Sequence, residues 1–248
     1  VTSYYPHDLL EKKEFIQKAE ETVLEIARHC HGIAAIVGAP RINQSDRGKK
    51  LYNSAFFLAD GKIQSIHNKT LLPTYDIFDE YRHFEPNHEF QVVEYLGEKF
   101  AITICEDLWD EQPTASEFGK DKLYLTSPME ELTKFSPGFV VNISASPFSY
   151  NQENWRKNVL VSKAKKYNVP ILYVNQVGAQ TELIFDGGSV FIGAYGEIVK
   201  ELNYFTEDFL VVDTRSPGKK QLQPATGNTE KIHDALVLGI REIGRASG

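Results

Sequence analysis

The feature that most constrains this chain is a helix-period apolar pattern that passes almost directly into a strand-like run and then a hairpin. Phe15, Ile16, Ala19, Val23, Ile26 and Cys30 recur at the three- and four-residue spacing that lines one face of a helix over residues 9–30. Residues 33–37 form a compact apolar run closed by Gly38 and Pro40, which predicts a buried strand. Residues 53–58 and 62–67 flank Asp60-Gly61, a dipeptide that tolerates the positive φ angles of a tight hairpin turn. Helix, strand and hairpin in succession predict layered α/β architecture.

The same reading extends along the chain. Apolar, β-branched runs predict strands at 90–95, 100–104, 139–143, 171–174, 189–194 and 209–213, with helices at 151–167 and 229–243. Residues 110–136 carry two prolines, many charges and little periodicity, and read as an excursion with a short helix near 129–133. Residues 217–229 have the Pro, Gly, Lys and Asn content of a linker. The expected organisation is therefore one domain over 1–216, a linker over 217–229, and over 230–248 a helix that opens a further domain.

Composition enters by exclusion. At 248 residues with 42% apolar and 25% charged residues, the chain can bury one sizeable core. A formal charge of −7 argues against nucleic acid; Arg156, Lys157, Lys163, Lys165 and Lys166 read as solvated helix positions. Cys30 and Cys105 are too few for a disulfide framework or a four-cysteine zinc site, so no metal and a reducing, cytoplasmic setting are expected. No run of 18 apolar residues offers a membrane span, and residues 1–8 lack the pattern of a targeting signal.

Three side chains stand out chemically. Cys105 ends the apolar run Phe100 to Ile104 and is followed by Glu106, Asp107, Leu108 and Trp109, which puts a thiol at a strand-to-turn junction. A lone cysteine is more often inert core, and nucleophilic work requires a neighbour that favours thiolate. Lys69, after the second hairpin strand, is by itself an ordinary solvated charge; held beside Cys105, it would favour thiolate and stabilise an oxyanion. Glu80, by composition, pairs with Arg82 or another surface cation.

Taken together, Lys69 with Tyr75 and Glu80, the run Ile104-Cys105-Glu106-Asp107-Leu108-Trp109, and Asn142-Ile143-Ser144-Ala145-Ser146-Pro147-Phe148 resemble the nitrilase superfamily. Tyr173 to Gly178, Phe185-Asp186-Gly187-Gly188-Ser189 and the opening Thr2-Ser3-Tyr4 resemble, within it, the glutaminase domains of glutamine-dependent NAD synthetases. The resemblance implies a four-layer α-β-β-α sandwich. It makes Cys105 the nucleophile on the side-chain amide of glutamine, Lys69 the oxyanion partner, and Glu80 a support that orients Lys69. Tyr4, Tyr75, Glu106, Trp109, Ser146 and Gln152 fall where the family binds glutamine, although the family usually has Lys or Arg in place of Gln152. The family's base glutamate precedes the match to Thr2-Ser3-Tyr4, so that residue and the first strand are expected to be absent. A C-terminal synthetase domain using ATP and magnesium, and a homo-oligomer, are implied partners. A stand-alone amidase or carbamoylase, or a non-catalytic interaction module, are the competing readings.

Overall fold

The computed structural model describes residues 2, 4–111, 124–180 and 182–246. The chain divides into two compact units, Val1–Gly97 with Ala101–Ser136, and Glu98–Phe100 with Pro137–Gly248.

The first unit opens with a short 3-10 turn, His7–Glu11, and helix α1, Lys13–His29. Ile16, Ala19, Val23 and Ala27 are its buried residues, as the periodicity predicts. Val23, Ala27 and Cys30 pack with Ala39, Phe56 and Leu58 of the sheet beneath. That sheet has the order β1-β2-β3, from Ala35–Ile42, Leu51–Ala59 and Lys62–Asn68, all antiparallel. Strand β1 does not stop at Gly38 and Pro40 but runs through both, Pro40 facing Asn53. It is an edge strand, where a residue without an N–H is tolerated. The β2–β3 turn is the expected one: Asp60 and Gly61 have φ of +53° and +77°, and a Cβ on Gly61 would lie 2.8 Å from the His31 ring.

Helix α2 is a single turn, Glu80–His83. The strand expected at 90–95 is shorter, β4 at Val93–Tyr95, and pairs with β5, Glu98–Ile104. Helix α3, Pro128–Thr133, is the short helix expected in the excursion; Ser127 caps it by accepting from the Glu130 N–H.

In the second unit, residues 98–100 of β5 flank β6, Phe139–Ser144, through the Gly138 N–H to the Lys99 carbonyl, and Phe100 stacks on Phe139. Strand β6 runs parallel to β7, Ile171–Asn175, with α4, Gln152–Tyr167, as the crossover. Left-handed Asn168 terminates α4. Two strands that lack alternation and were not foreseen, β8 (Val177–Gln180) and β9 (Leu183–Asp186), form a hairpin. Strands β10, Val190–Ile192, and β11, Ile198–Glu201, complete the order β11-β10-β7-β6.

The strand expected at 209–213 does not form: those residues take no regular structure, and Phe209 and Val211 are among the exposed hydrophobics. Apolar alternation yields a strand only where a partner buries it. Helix α5, Asn228–Ala246, packs on the β8–β9 hairpin and buries Ala235 and Leu238.

Candidate functional site

Lys69 is the residue after β3, and its N–H donates to the Asn53 carbonyl at 2.8 Å, so the hairpin ladder fixes its backbone. Its side chain is 1% exposed. A buried ammonium costs several kcal/mol unless it is paired, and Glu80, itself 0% exposed, supplies the pair at 2.7 Å. Tyr4 donates its hydroxyl to the same Glu80 oxygen at 2.5 Å, and Asn53 reaches the other at 3.4 Å. Burial alone would lower the pKa of Lys69; Glu80 and then Cys105 outweigh it and raise the value above the ordinary one. The group is therefore an ammonium at neutral pH, within electrostatic reach of the thiol. The surface pairing of Glu80 with Arg82 does not occur: the Arg82 guanidinium lies 3.9 Å from Asp79.

Cys105 opens a 3-10 turn, Cys105–Leu108, at the end of β5, with φ of +44°. Left-handed backbone is unfavourable for a residue with a Cβ and is kept only where surrounding bonds impose it. Here Asp107 imposes it. One Asp107 oxygen accepts from the N–H groups of Thr70 and Leu71, each at 2.9 Å, and the other from that of Ile104 at 3.0 Å. One carboxylate thus ties the turn carrying Cys105 to the segment that follows Lys69. Burial raises Asp107 to about 6, against these backbone donors and the charge of Lys69.

Glu106 is buried beside Cys105, and its Oε1 accepts from Tyr75 at 2.7 Å and from Tyr124 at 3.0 Å. Burial raises its pKa, while Lys69 and the two phenols oppose that shift. Trp109 is buried and closes the turn through its N–H to the Glu106 carbonyl. Tyr75 packs edge-on against Phe78, with Tyr4 on the same ring, so an aromatic cluster adjoins the carboxylates.

Ser146 and Gln152 belong to the second unit. Ser146 is buried, its N–H donating to Asn175 Oδ1 at 2.9 Å; Gln152 is half-buried at the start of α4. The Asn175 amide group donates to the Gly187 carbonyl at 2.9 Å and to Asp186 at 3.2 Å, and Asp186 takes a two-pronged ion pair from Arg156 at 3.0 and 2.8 Å. Arg156 and Lys163, expected as solvated helix positions, are each 2% exposed. The polar residue types on α4 concealed an inward face that only its tertiary partners reveal.

The structure therefore brings Lys69, Glu80, Tyr4, Tyr75, Glu106 and Trp109 together around Cys105 in the first unit. Sequence reasoning missed Asp107 as the latch, Tyr124 as a second donor to Glu106, and Arg156 as a buried base to the Asn175 network. Among the described residues, no group of three or more His, Cys, Asp or Glu is placed to hold a metal ion, neither cysteine is in a disulfide, and no helix is long and apolar enough to cross a membrane.

The profile of the family described as carbon-nitrogen hydrolase matches residues 2–218. A glutamine-dependent NAD(+) synthetase from Synechocystis sp. is 37% identical over 246 residues, covering 96% of this chain and 43% of that protein. The chain thus spans under half the length of this curated relative. A glutamine-dependent NAD+ synthetase structure from Acinetobacter baumannii, in complex with ADP, superposes with a TM-score of 0.84 at 31% identity, over 99% of this chain and 44% of that one. An amidase from Nesterenkonia sp. AN1, captured after Michael addition of acrylamide at its active-site cysteine, matches with a TM-score of 0.62 at 21% identity, over 81% of this chain and 71% of that one. These matches establish the nitrilase-type α/β fold.

Proposed function

Because this chain belongs to the carbon-nitrogen hydrolase family, we propose that it is a glutamine amidohydrolase supplying ammonia for the ATP-dependent amidation of deamido-NAD to NAD in a longer parent protein. The observation that carries the chemistry is the fully buried Lys69–Glu80 pair within electrostatic reach of a cysteine held at a left-handed strand end. The choice of glutamine rests on the glutamine-dependent synthetases that this chain resembles.

In this reading the Cys105 Sγ attacks the side-chain amide carbon of glutamine. The developing oxyanion is stabilised by the Lys69 ammonium, which Glu80 and Tyr4 hold in place. A carboxylate base, the role the family gives to a glutamate preceding the match to Thr2-Ser3-Tyr4, takes the thiol proton and returns it to the departing ammonia, and water then releases glutamate from the thioester. Both Tyr4 and Lys69 bond one oxygen of Glu80, which suits a positioning role for that residue. Tyr75, Glu106 and Trp109 of the first unit are assigned to glutamine binding in this reading, as are Ser146 and Gln152 by the resemblance alone. Residues 1–216 are the glutaminase, 217–229 a linker, and 230–248 the start of the synthetase domain, to which ATP and magnesium belong. A cytoplasmic homo-oligomer is the expected setting.

A chloroketone analogue of glutamine tests the assignment. It should alkylate Cys105 selectively and be blocked by glutamine, and Lys69→Met should slow that reaction by about two orders of magnitude, the usual effect of losing one oxyanion-type contact. Alkylation indifferent to glutamine, or undiminished in Lys69→Met, would refute it.

A further inference from the structure

We propose that Tyr124 is a positioning residue for substrate selection: with Tyr75, it fixes the orientation of the Glu106 carboxylate toward the α-ammonium of the amide substrate. The proposal rests on the glutaminase reading, in which Glu106 already belongs to the glutamine site, and adds to it one positioning residue.

Glu106 is 5% exposed and adjoins the nucleophile in sequence. Two hydroxyls, from residues 31 and 18 positions away, converge on one of its oxygens. A single donor leaves a carboxylate free to turn about its last carbon–carbon bond; two donors on one oxygen fix its plane and so the direction of its negative charge. Tyr75 lies between β3 and α2, and Tyr124 precedes α3, so the carboxylate is clamped by two separate segments of the first unit.

The charge state matters as much as the direction. Glu106 faces Lys69, Glu80, Tyr75 and Tyr124, and of these Glu80 alone favours the neutral carboxyl; burial pushes the same way. A neutral carboxyl has no charge with which to attract an ammonium. Lys69 and the two phenols favour the anion, but Lys69 already holds Glu80 and serves the thiol. The two phenol hydroxyls bond Glu106 directly. An anion kept in a buried setting selects a cation, and the cation that a glutamine-like amide carries is its α-ammonium.

Removing the Tyr124 hydroxyl should therefore weaken binding of substrates that carry the ammonium and leave others untouched. The test compares 2-amino-5-chloro-4-oxopentanoate with 5-chloro-4-oxopentanoate, which lacks only the amino group. In each reaction the Cys105 sulfur forms a bond to the chloromethyl carbon, chloride leaves, and the thiol proton passes to a base or solvent. Intact-protein mass follows alkylation against probe concentration, which separates the half-saturating concentration from the limiting rate; iodoacetamide reports on the thiol alone.

In the unaltered chain the amino probe should half-saturate at the lower concentration. Tyr124→Phe should raise that concentration about tenfold, the effect of one hydrogen bond to a charged group, with the limiting rate, the desamino probe and iodoacetamide unaffected. Glu106→Gln should erase the preference, and adding Tyr124→Phe to it should change nothing further. Equal losses with both probes, or none with either, would overturn the role of Tyr124, as would a preference that survives Glu106→Gln. An unaltered chain with no preference for the amino probe would instead sink the glutamine reading itself, and the proposal with it.

Discussion

At the scale of residues, two buried titrating groups pull stability in opposite directions. His67 and Asp107 both line a small, half-open pocket of about 20 Å³, enough for one water. Burial pushes His67 from 6.5 down to about 4, so its contribution is complete above pH 6.5 and is lost as pH falls through 4. Asp107 is raised from 3.8 to about 6, so its contribution is complete below pH 3.8 and is lost as pH rises through 6. Each amounts to roughly 3 kcal/mol, and between pH 4 and 6 they offset one another. Urea denaturation at stepped pH should show this. His67→Gln should leave a chain whose stability falls as pH rises from 4 to 6, and Asp107→Asn one whose stability rises over that interval. Parallel profiles for all three proteins would contradict the assignment. Cys105, Lys69 and Glu80 were legible in the sequence because their spacing matches a known pattern. Asp107 and Tyr124 were not, because their partners lie 37 and 18 residues away and such hydrogen bonds leave no periodic trace.

At the scale of elements, the ion pair between Arg156 on α4 and Asp186 at the end of β9 joins a helix to the strand ends that hold Ser146. A buried pair is costly to break from one side because the remaining charge is stranded. Asp186→Leu or Arg156→Met alone should each cost about 3–5 kcal/mol in chemical denaturation, and the double variant clearly less than their sum. Strict additivity would show that the two charges do not support one another. Strands rich in β-branched residues, such as β5, β6 and β7, were readable within a residue or two at each end. The β8–β9 hairpin was not, since Val177-Gly178-Ala179-Gln180 alternates neither in polarity nor in burial. Residues 209–213 show the converse, a good local pattern that no neighbouring strand takes up.

At the scale of the molecule, residues 2–218 match the carbon-nitrogen hydrolase family, and the chain covers under half of its synthetase relatives. Fold class was legible throughout, because α/β layering follows from the order of apolar periods. The division into two units was not, because the break falls within β5 itself. Global stability is also where the left-handed backbone at Cys105 has its consequence. Where φ is negative, alanine is preferred to glycine, since glycine loses more freedom on folding. At residue 105 the order should invert: Cys105→Gly should be more stable than Cys105→Ala by about 1 kcal/mol, the relief of a left-handed residue, and thermal denaturation of the two would show it. A drift toward greater robustness at this position therefore leads away from sulfur, and selection for stability alone would favour glycine there.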